Sequence, residues 1–350
     1  MASTNEKVKQ RPKGRIFVWL KRLGIGGVLF ILLILIGTYA FQAYYTSSAI
    51  RRYPPPGQLV DIGGYRLHYK SSGSGSPVVI LDSGLSGDSN AWGLVQPGVA
   101  KFTRVISYDR AGFGWSDRGP KDRTSRQIVK ELHTMLRDAE IPGPYVLVGA
   151  SFGGFNVRMF THEHPELVTG LVLVDSPHES EFFQVPESII RDNNKLLPLV
   201  KMTKFLTPFG IGHLVLPKMA KDVPEEIREV KLALSLRTPN LLTTCKEYLD
   251  ASISNSQMKG CTLQTDIPIA VLSSSRSRWP EAPPDDQLTA INISHKLQAE
   301  LAAQSTNSYQ YIVPDCGHAI FFEKPDAVID SIRRVVESVR NHTKLTAPDQ

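Results

Sequence analysis

Ser151 stands in Gly149-Ala150-Ser151-Phe152-Gly153, a G-x-S-x-G stretch that directly follows the apolar run Tyr145–Val148 and opens a helical pattern that Pro165 helps to end. A strand entering a helix through so sharp a turn needs small residues at both glycines. The turn lifts the serine hydroxyl onto the helix N-terminus, where backbone N–H groups favour negative charge. A serine attacks a carbonyl only with a base in hydrogen-bond reach. Of nine histidines, His318 in Pro314-Asp315-Cys316-Gly317-His318 follows a strand-like run ending near Val313, on a loop at the same sheet edge as Ser151. The carboxylate that would orient this imidazole stays open among four residues. Asp175 is favoured because it ends the run Leu171–Val174, and the 24 residues after Ser151 accommodate one helix and one strand; Asp285, Asp286 and Glu179 are the alternatives. Acyl transfer also needs donors for an oxyanion. The N–H of Phe152 is one, and the glycine-rich turn Asp82-Ser83-Gly84-Leu85-Ser86-Gly87 is able to aim the N–H of Leu85 at the same point.

The elements that must position these residues are legible as short apolar runs alternating with amphipathic segments. Val78–Leu81, Arg104–Tyr108, Tyr145–Val148 and Leu171–Val174 are continuous and rich in β-branched residues, as strands buried on both faces of a parallel sheet are. Leu59–Ile62 and Tyr65–Tyr69, joined through Gly63-Gly64, read as a hairpin. Thr124–Ala139 carries Ile128, Leu132, Met135 and Leu136 on one face, with Thr124 and Gln127 as an expected capping pair. The rhythm stops after Val174 and resumes at Ile267–Leu272 and Ser308–Val313. The expected architecture is therefore an α/β core over 57–177 and 263–340, interrupted by a helical cap over 178–262, with a tail at 341–350. The cap is rich in Leu and Phe, which points to apolar acyl or alkyl substrates.

The 350 residues carry a net charge of +6, but residues 1–52 hold nine Lys/Arg and one acid while the rest sum to −2, so the body has no electrostatic footprint for nucleic acid. Leu23–Ala43 is 21 residues without a charge, long enough at about 1.5 Å per residue for a hydrocarbon core of about 30 Å. The expected order is a basic cytosolic arm (1–22), a transmembrane anchor (23–45) and a stiff linker (46–56) through Pro54-Pro55-Pro56. Seven Lys/Arg precede the apolar segment and two follow, which puts the N-terminus in the cytosol and the body on the other side. A cleaved signal peptide is the competing reading, against which stand the long basic region and long apolar stretch. Cys245, Cys261 and Cys316 lack zinc-binding spacing, and whether Cys245 and Cys261 pair is open; His162 and His164, two apart, do not share a helix face. No cofactor or metal is expected.

Taken together, these features resemble the α/β-hydrolase superfamily, specifically its capped members related to esterases, haloalkane dehalogenases and epoxide hydrolases. The resemblance covers about residues 57–340 and includes Tyr108-Asp109-Arg110-Ala111-Gly112-Phe113-Gly114-Trp115-Ser116, similar to that family's D-R-x-G-x-G-x-S stretch, and Gly317-His318. It implies a serine hydrolase of the esterase or lipase type acting on an ester or thioester, because the dehalogenases and epoxide hydrolases of this fold use aspartate. The chain departs from the family in having Ser83-Gly84 where His-Gly is common and Ala150 where His is common before the nucleophile. Two further readings are a lyase or acyltransferase with the same Ser and His, for which His133 to Asp138 is the one H-x-x-x-x-D match, and a non-catalytic ligand-binding protein.

Overall fold

The computed structural model describes residues 13–219, 223–263 and 265–348. Eight strands form one sheet: β1 (Gln58–Asp61), β2 (Arg66–Ser72), β3 (Val78–Asp82), β4 (Val105–Tyr108), β5 (Tyr145–Ala150), β6 (Val168–Val174), β7 (Ile269–Ser274) and β8 (Ser308–Val313). Their spatial order is β1-β2-β4-β3-β5-β6-β7-β8, with β1 and β2 antiparallel and all pairs from β4 to β8 parallel. The apolar runs are continuous because alternate residues serve opposite faces. Ile80, Leu147, Leu171 and Leu173 pack in one core cluster, while Val79, Leu81, Val146, Val148, Val172 and Val174 pack in the other.

The helices are α1 (Lys13–Arg52), α2 (Gln96–Val99), α3 (Ser125–Asp138), α4 (Gly153–Glu163), α5 (Glu181–Gln184), α6 (Glu187–Leu206), α7 (Gly212–Met219), α8 (Glu225–Ser235), α9 (Thr238–Gln257), α10 (Pro284–Ala302), α11 (Ile320–Glu323) and α12 (Pro325–Asn341). Helices α3 and α4 supply Ile128, Leu132, Val157 and Phe160 to the first cluster, and α12 supplies Val328, Ile332, Val335 and Val336 to the second. Helices α5 to α9 form the insertion between β6 and β7. Thr124 is the N-cap of α3 but makes no side-chain capping bond; Gln127 instead donates to Glu131 at 3.0 Å, so the expected capping pair is not formed.

The N-terminal helix also departs from expectation. It runs through the region read as a linker and stops only at Arg52, before Pro54-Pro55-Pro56. Residues 46–52 contain no helix breaker, and proline ends a helix at or before the preceding residue. This last stretch is also held from the side. Thr46 Oγ1 meets Thr238 Oγ1 at 3.2 Å, Ala49 is buried, Arg52 pairs with Glu229, and the Tyr53 carbonyl accepts a bond from Trp115 Nε1 at 2.8 Å. The helix contains an 18-residue window of mean hydropathy 2.3 that is fully exposed, and it is long and apolar enough to cross a membrane.

Candidate active site

The sheet brings Ser151, Asp175 and His318 to one edge, beyond the carboxyl ends of β5, β6 and β8. The Ser151 amide donates to Val174 O at 2.9 Å and the Asp175 amide to Leu272 O at 2.7 Å, so each residue is fixed by the neighbouring strand as its own strand ends. Both have left-handed backbone, with φ of +49° at Ser151 and +44° at Asp175. Such a turn is confined on all sides. A Cβ on Gly149 would lie 2.6 Å from Gly153 O, and one on Gly153 would lie 2.5 Å from Asp82 O, which is why both flanking positions are glycine.

The three side chains are in contact. Ser151 Oγ lies 3.0 Å from His318 Nε2, and His318 Nδ1 lies 2.6 Å from Asp175 Oδ2. An ionised carboxylate only accepts hydrogen bonds, so the proton sits on Nδ1 and Nε2 is left to accept from the serine hydroxyl. Asp175 is buried and accepts four further bonds: from the Ser274 amide and Gln298 Nε2, each at 3.0 Å, from Arg278 Nε at 2.9 Å and from Ser274 Oγ at 3.2 Å. Burial works to raise its pKa, but the Arg278 charge and the bonds from His318 and Arg278 outweigh it and hold the carboxyl well below the usual range. The other candidate carboxylates lie away from His318. Glu179 pairs with Arg158 at 3.0 Å, Asp286 accepts from Ser188 Oγ at 2.5 Å, and Asp285 is exposed in the first turn of α10.

The turn after β3 faces the same point. Gly84 lies against the nucleophile, where an added Cβ would be 3.2 Å from Ser151 Cβ. Arg110 Nη1 donates to the Ser83 carbonyl and Nη2 to the Gly84 carbonyl, each at 2.7 Å. In a trans peptide the N–H points opposite to the C=O, so a Gly84 carbonyl turned toward Arg110 turns the Leu85 N–H away from it. The amides of Ser86, Gly87 and Gly154 are used by Glu247, Gly84 and Ser151, whereas those of Leu85 and Phe152 have no protein acceptor among the described residues.

Several residues that sequence reasoning did not single out build this arrangement. Arg110 is held by Asp82 Oδ1 at 2.8 Å and by Glu247 from α9 at 2.8 and 3.0 Å, all fully buried. Arg278 spans Asp175 and Glu181 Oε2, the latter at 2.9 Å, and so ties the acid to the start of the insertion. Arg110 lies inside the D-R-x-G stretch, which was the available signal; Glu247, Arg278 and Gln298 had none. Asp109 of that stretch accepts from the amides of Ser89 and Trp115 and pairs with buried His68, a structural role in shaping the loop. His133 stacks on His164 at 4.1 Å and Asp138 pairs with Arg137, so the H-x-x-x-x-D match joins no part of the site. A cavity of about 560 Å³ lined by Lys121, Arg126, Lys130, His133 and Glu163 likewise includes none of Ser151, Asp175 and His318. Cys245, Cys261 and Cys316 are all free and buried, which closes the question of a pair between the first two.

A mostly parallel eight-stranded sheet wrapped by helices, with a nucleophile-type turn after β5, defines the α/β-hydrolase class. The sequence model of the Alpha/beta hydrolase family matches residues 78–331, and the chain belongs to that family. It is 24% identical over 275 residues to 2-hydroxy-6-oxo-6-(2'-aminophenyl)hexa-2,4-dienoic acid hydrolase of Metapseudomonas resinovorans, covering 77% of this chain and 87% of that one. Other relatives are matched over less of their length: the chain is 33% identical over 138 residues to a Hormonema carpetanum protein named "Probable transporter efuK", covering 37% of this chain and 20% of the relative. Among solved structures, an esterase from Thermogutta terrifontis aligns with a TM-score of 0.58 and 20% identity over 81% of this chain and 98% of its own.

Proposed function

We propose that the protein is a membrane-anchored serine hydrolase that cleaves a carboxylic ester or thioester through an acyl-enzyme. The observation that carries this reading is the unbroken hydrogen-bonded chain from Ser151 Oγ through both nitrogens of His318 to Asp175. In this mechanism Ser151 Oγ bonds to the substrate carbonyl carbon as His318 Nε2 takes its proton. The N–H groups of Leu85 and Phe152 receive the oxyanion. His318 then returns the proton to the departing alcohol or thiol, and water repeats the sequence to free the acid; Asp175 stabilises the imidazolium throughout. The apolar cap favours a substrate with an apolar acyl or alkyl group, and α1 anchors the chain with its N-terminus in the cytosol.

The test is labelling of the full chain in detergent micelles with a fluorophosphonate, which reports an activated serine. Labelling of the wild-type protein that is absent in Ser151→Ala and His318→Ala supports the reading. Retained labelling in Ser151→Ala would assign the reactive serine elsewhere, and a protein that takes up no label would favour a binding role.

A further inference from the structure

We infer that the α6–α7 segment of the insertion is itself a membrane-embedded element, seated in the same leaflet from which α1 emerges; the inference rests on α1 crossing the bilayer. The first observation is position. If hydrocarbon begins after Arg22, a core of about 30 Å crossed at about 1.5 Å per residue ends near Gln42 and Ala43. At that level one side of α1 is in contact with the insertion: the Tyr39 and Phe209 rings lie 6.4 Å apart, and His213 packs on Phe41 and Tyr45 at 5.3 and 4.5 Å. Gln42, a polar residue at the boundary, is 0% exposed because the insertion satisfies it, through His213 of α7 and through the turn between α8 and α9. Its amide donates to Leu236 O and Thr238 Oγ1, and its Oε1 meets His213 Nε2 at 3.1 Å.

The second observation is what this docked segment leaves uncovered. Phe205 is 75% exposed and Leu214 69%, with Leu199, Met202 and Val215 each about half exposed beside them. An isolated exposed leucine needs no explanation, but a run of large apolar side chains continuous with a bilayer-crossing helix does. The third observation is charge. Lys195 of α6 pairs with Asp192, and beyond it residues 196–217 contain Lys201 and Lys204 and no aspartate or glutamate, whereas the body as a whole is slightly acidic. Apolar side chains interleaved with lysine suit the boundary between acyl chains and headgroup phosphates, with the apolar faces inserted and the ammonium groups at the phosphates. The occupant of this face is therefore a phospholipid surface.

Full-length protein with the three buried cysteines replaced by alanine would carry a single environment-sensitive fluorophore at Phe205→Cys, Leu214→Cys, Ile31→Cys or Ile312→Cys. The last lies on edge strand β8, at the sheet edge opposite the hairpin. Each is reconstituted in phosphatidylcholine/phosphatidylglycerol vesicles with nitroxide-labelled lipid, and only variants that melt as the parent does are compared. Quenching at 205 and 214 about twofold or more above that at 312, alongside strong quenching at 31, supports the inference. A fall at 205 and 214 when Lys201→Glu and Lys204→Glu are added supports the role of the lysines. Strong quenching at 31 with 205 and 214 no higher than 312 overturns the inference and leaves the anchor in place. Absence of quenching at 31 overturns the anchor, and the inference with it.

Discussion

At the residue scale, the proposed site is one imidazole held between a hydroxyl and a carboxylate, and removal of each member has an expected cost. Hydrolysis of short p-nitrophenyl esters should fall about 10⁴-fold or more in Ser151→Ala and His318→Ala, and about 10⁴-fold in Asp175→Asn, where the wrong imidazole tautomer is favoured. Near wild-type turnover in Asp175→Asn, with a large loss in Asp285→Asn or Asp286→Asn, would move the acid to α10. Arg278 offers a separate test through pH. The native pKa of Asp175 is depressed, so its ionised form contributes stability above the unfolded value near 3.9, and that contribution is lost as pH falls through the lower native value. Arg278→Gln removes a charge that depresses it, so acid unfolding should begin at higher pH than in the wild type; identical melting curves from pH 3 to 7 would contradict this. Ser151 and His318 were legible because each sits in a local motif, and Asp175 because it ends an apolar run. Arg278 is 103 positions from Asp175 and Gln298 is 123, and no periodicity in the chain says that those side chains meet.

At the element scale, the central strands were readable because burial on both faces forces continuous apolar runs. The N-terminal helix was less so. Its apolar stretch is long enough for a hydrocarbon span, but residues 46–52 are mostly polar, and they stay helical because no breaker precedes Pro54 and because Thr46 and Ala49 are held against the body. Gln42 is the centre of that docking. Gln42→Ala would leave the Leu236 carbonyl and Thr238 hydroxyl without its amide, a loss of about 1–3 kcal/mol in a buried setting, so the full chain in nanodiscs should melt several degrees lower. An unchanged melt would mean that water replaces the amide. A second contact between elements controls the turn after β3. Glu247 on α9 and Asp82 on β3 aim Arg110 at the Ser83 and Gly84 carbonyls, so Arg110→Gln should release the turn and lower kcat about 10²- to 10³-fold with little change in KM. A loss confined to KM would place Arg110 in substrate binding instead.

At the scale of the whole molecule, the division of charge is what the proposed orientation rests on. Seven basic residues before the apolar segment against two after it favour a cytosolic N-terminus, so protease added to sealed vesicles with their cytosolic face outward should leave the body intact until detergent opens them. Digestion of the body in the closed vesicles would reverse the assignment. The cap carries the other whole-molecule expectation. Each buried methylene contributes about 0.8 kcal/mol, so kcat/KM should rise about tenfold for every two carbons added to the acyl chain while the pocket has room. A steady fall from acetate to decanoate would mean a small closed pocket and a small-ester substrate. The cap's apolar content is divided between two uses: Ile189 is buried against Val185 and Ala290, while Phe205 and Leu214 face outward. Composition alone cannot separate these, because both look like leucine and phenylalanine in a sequence.

The left-handed backbone at Ser151 sets activity against robustness. A non-glycine residue at φ of +49° costs about 1–2 kcal/mol that a glycine would not incur, so the fold is held together in spite of the residue proposed as its nucleophile. Two inactive forms should then differ in endurance: Ser151→Gly sheds the steric conflict and Ser151→Ala keeps it, and the glycine form should survive heating better by a few degrees. A lineage or a designer that no longer needed the chemistry would find glycine at 151 an easy route to a hardier, silent protein.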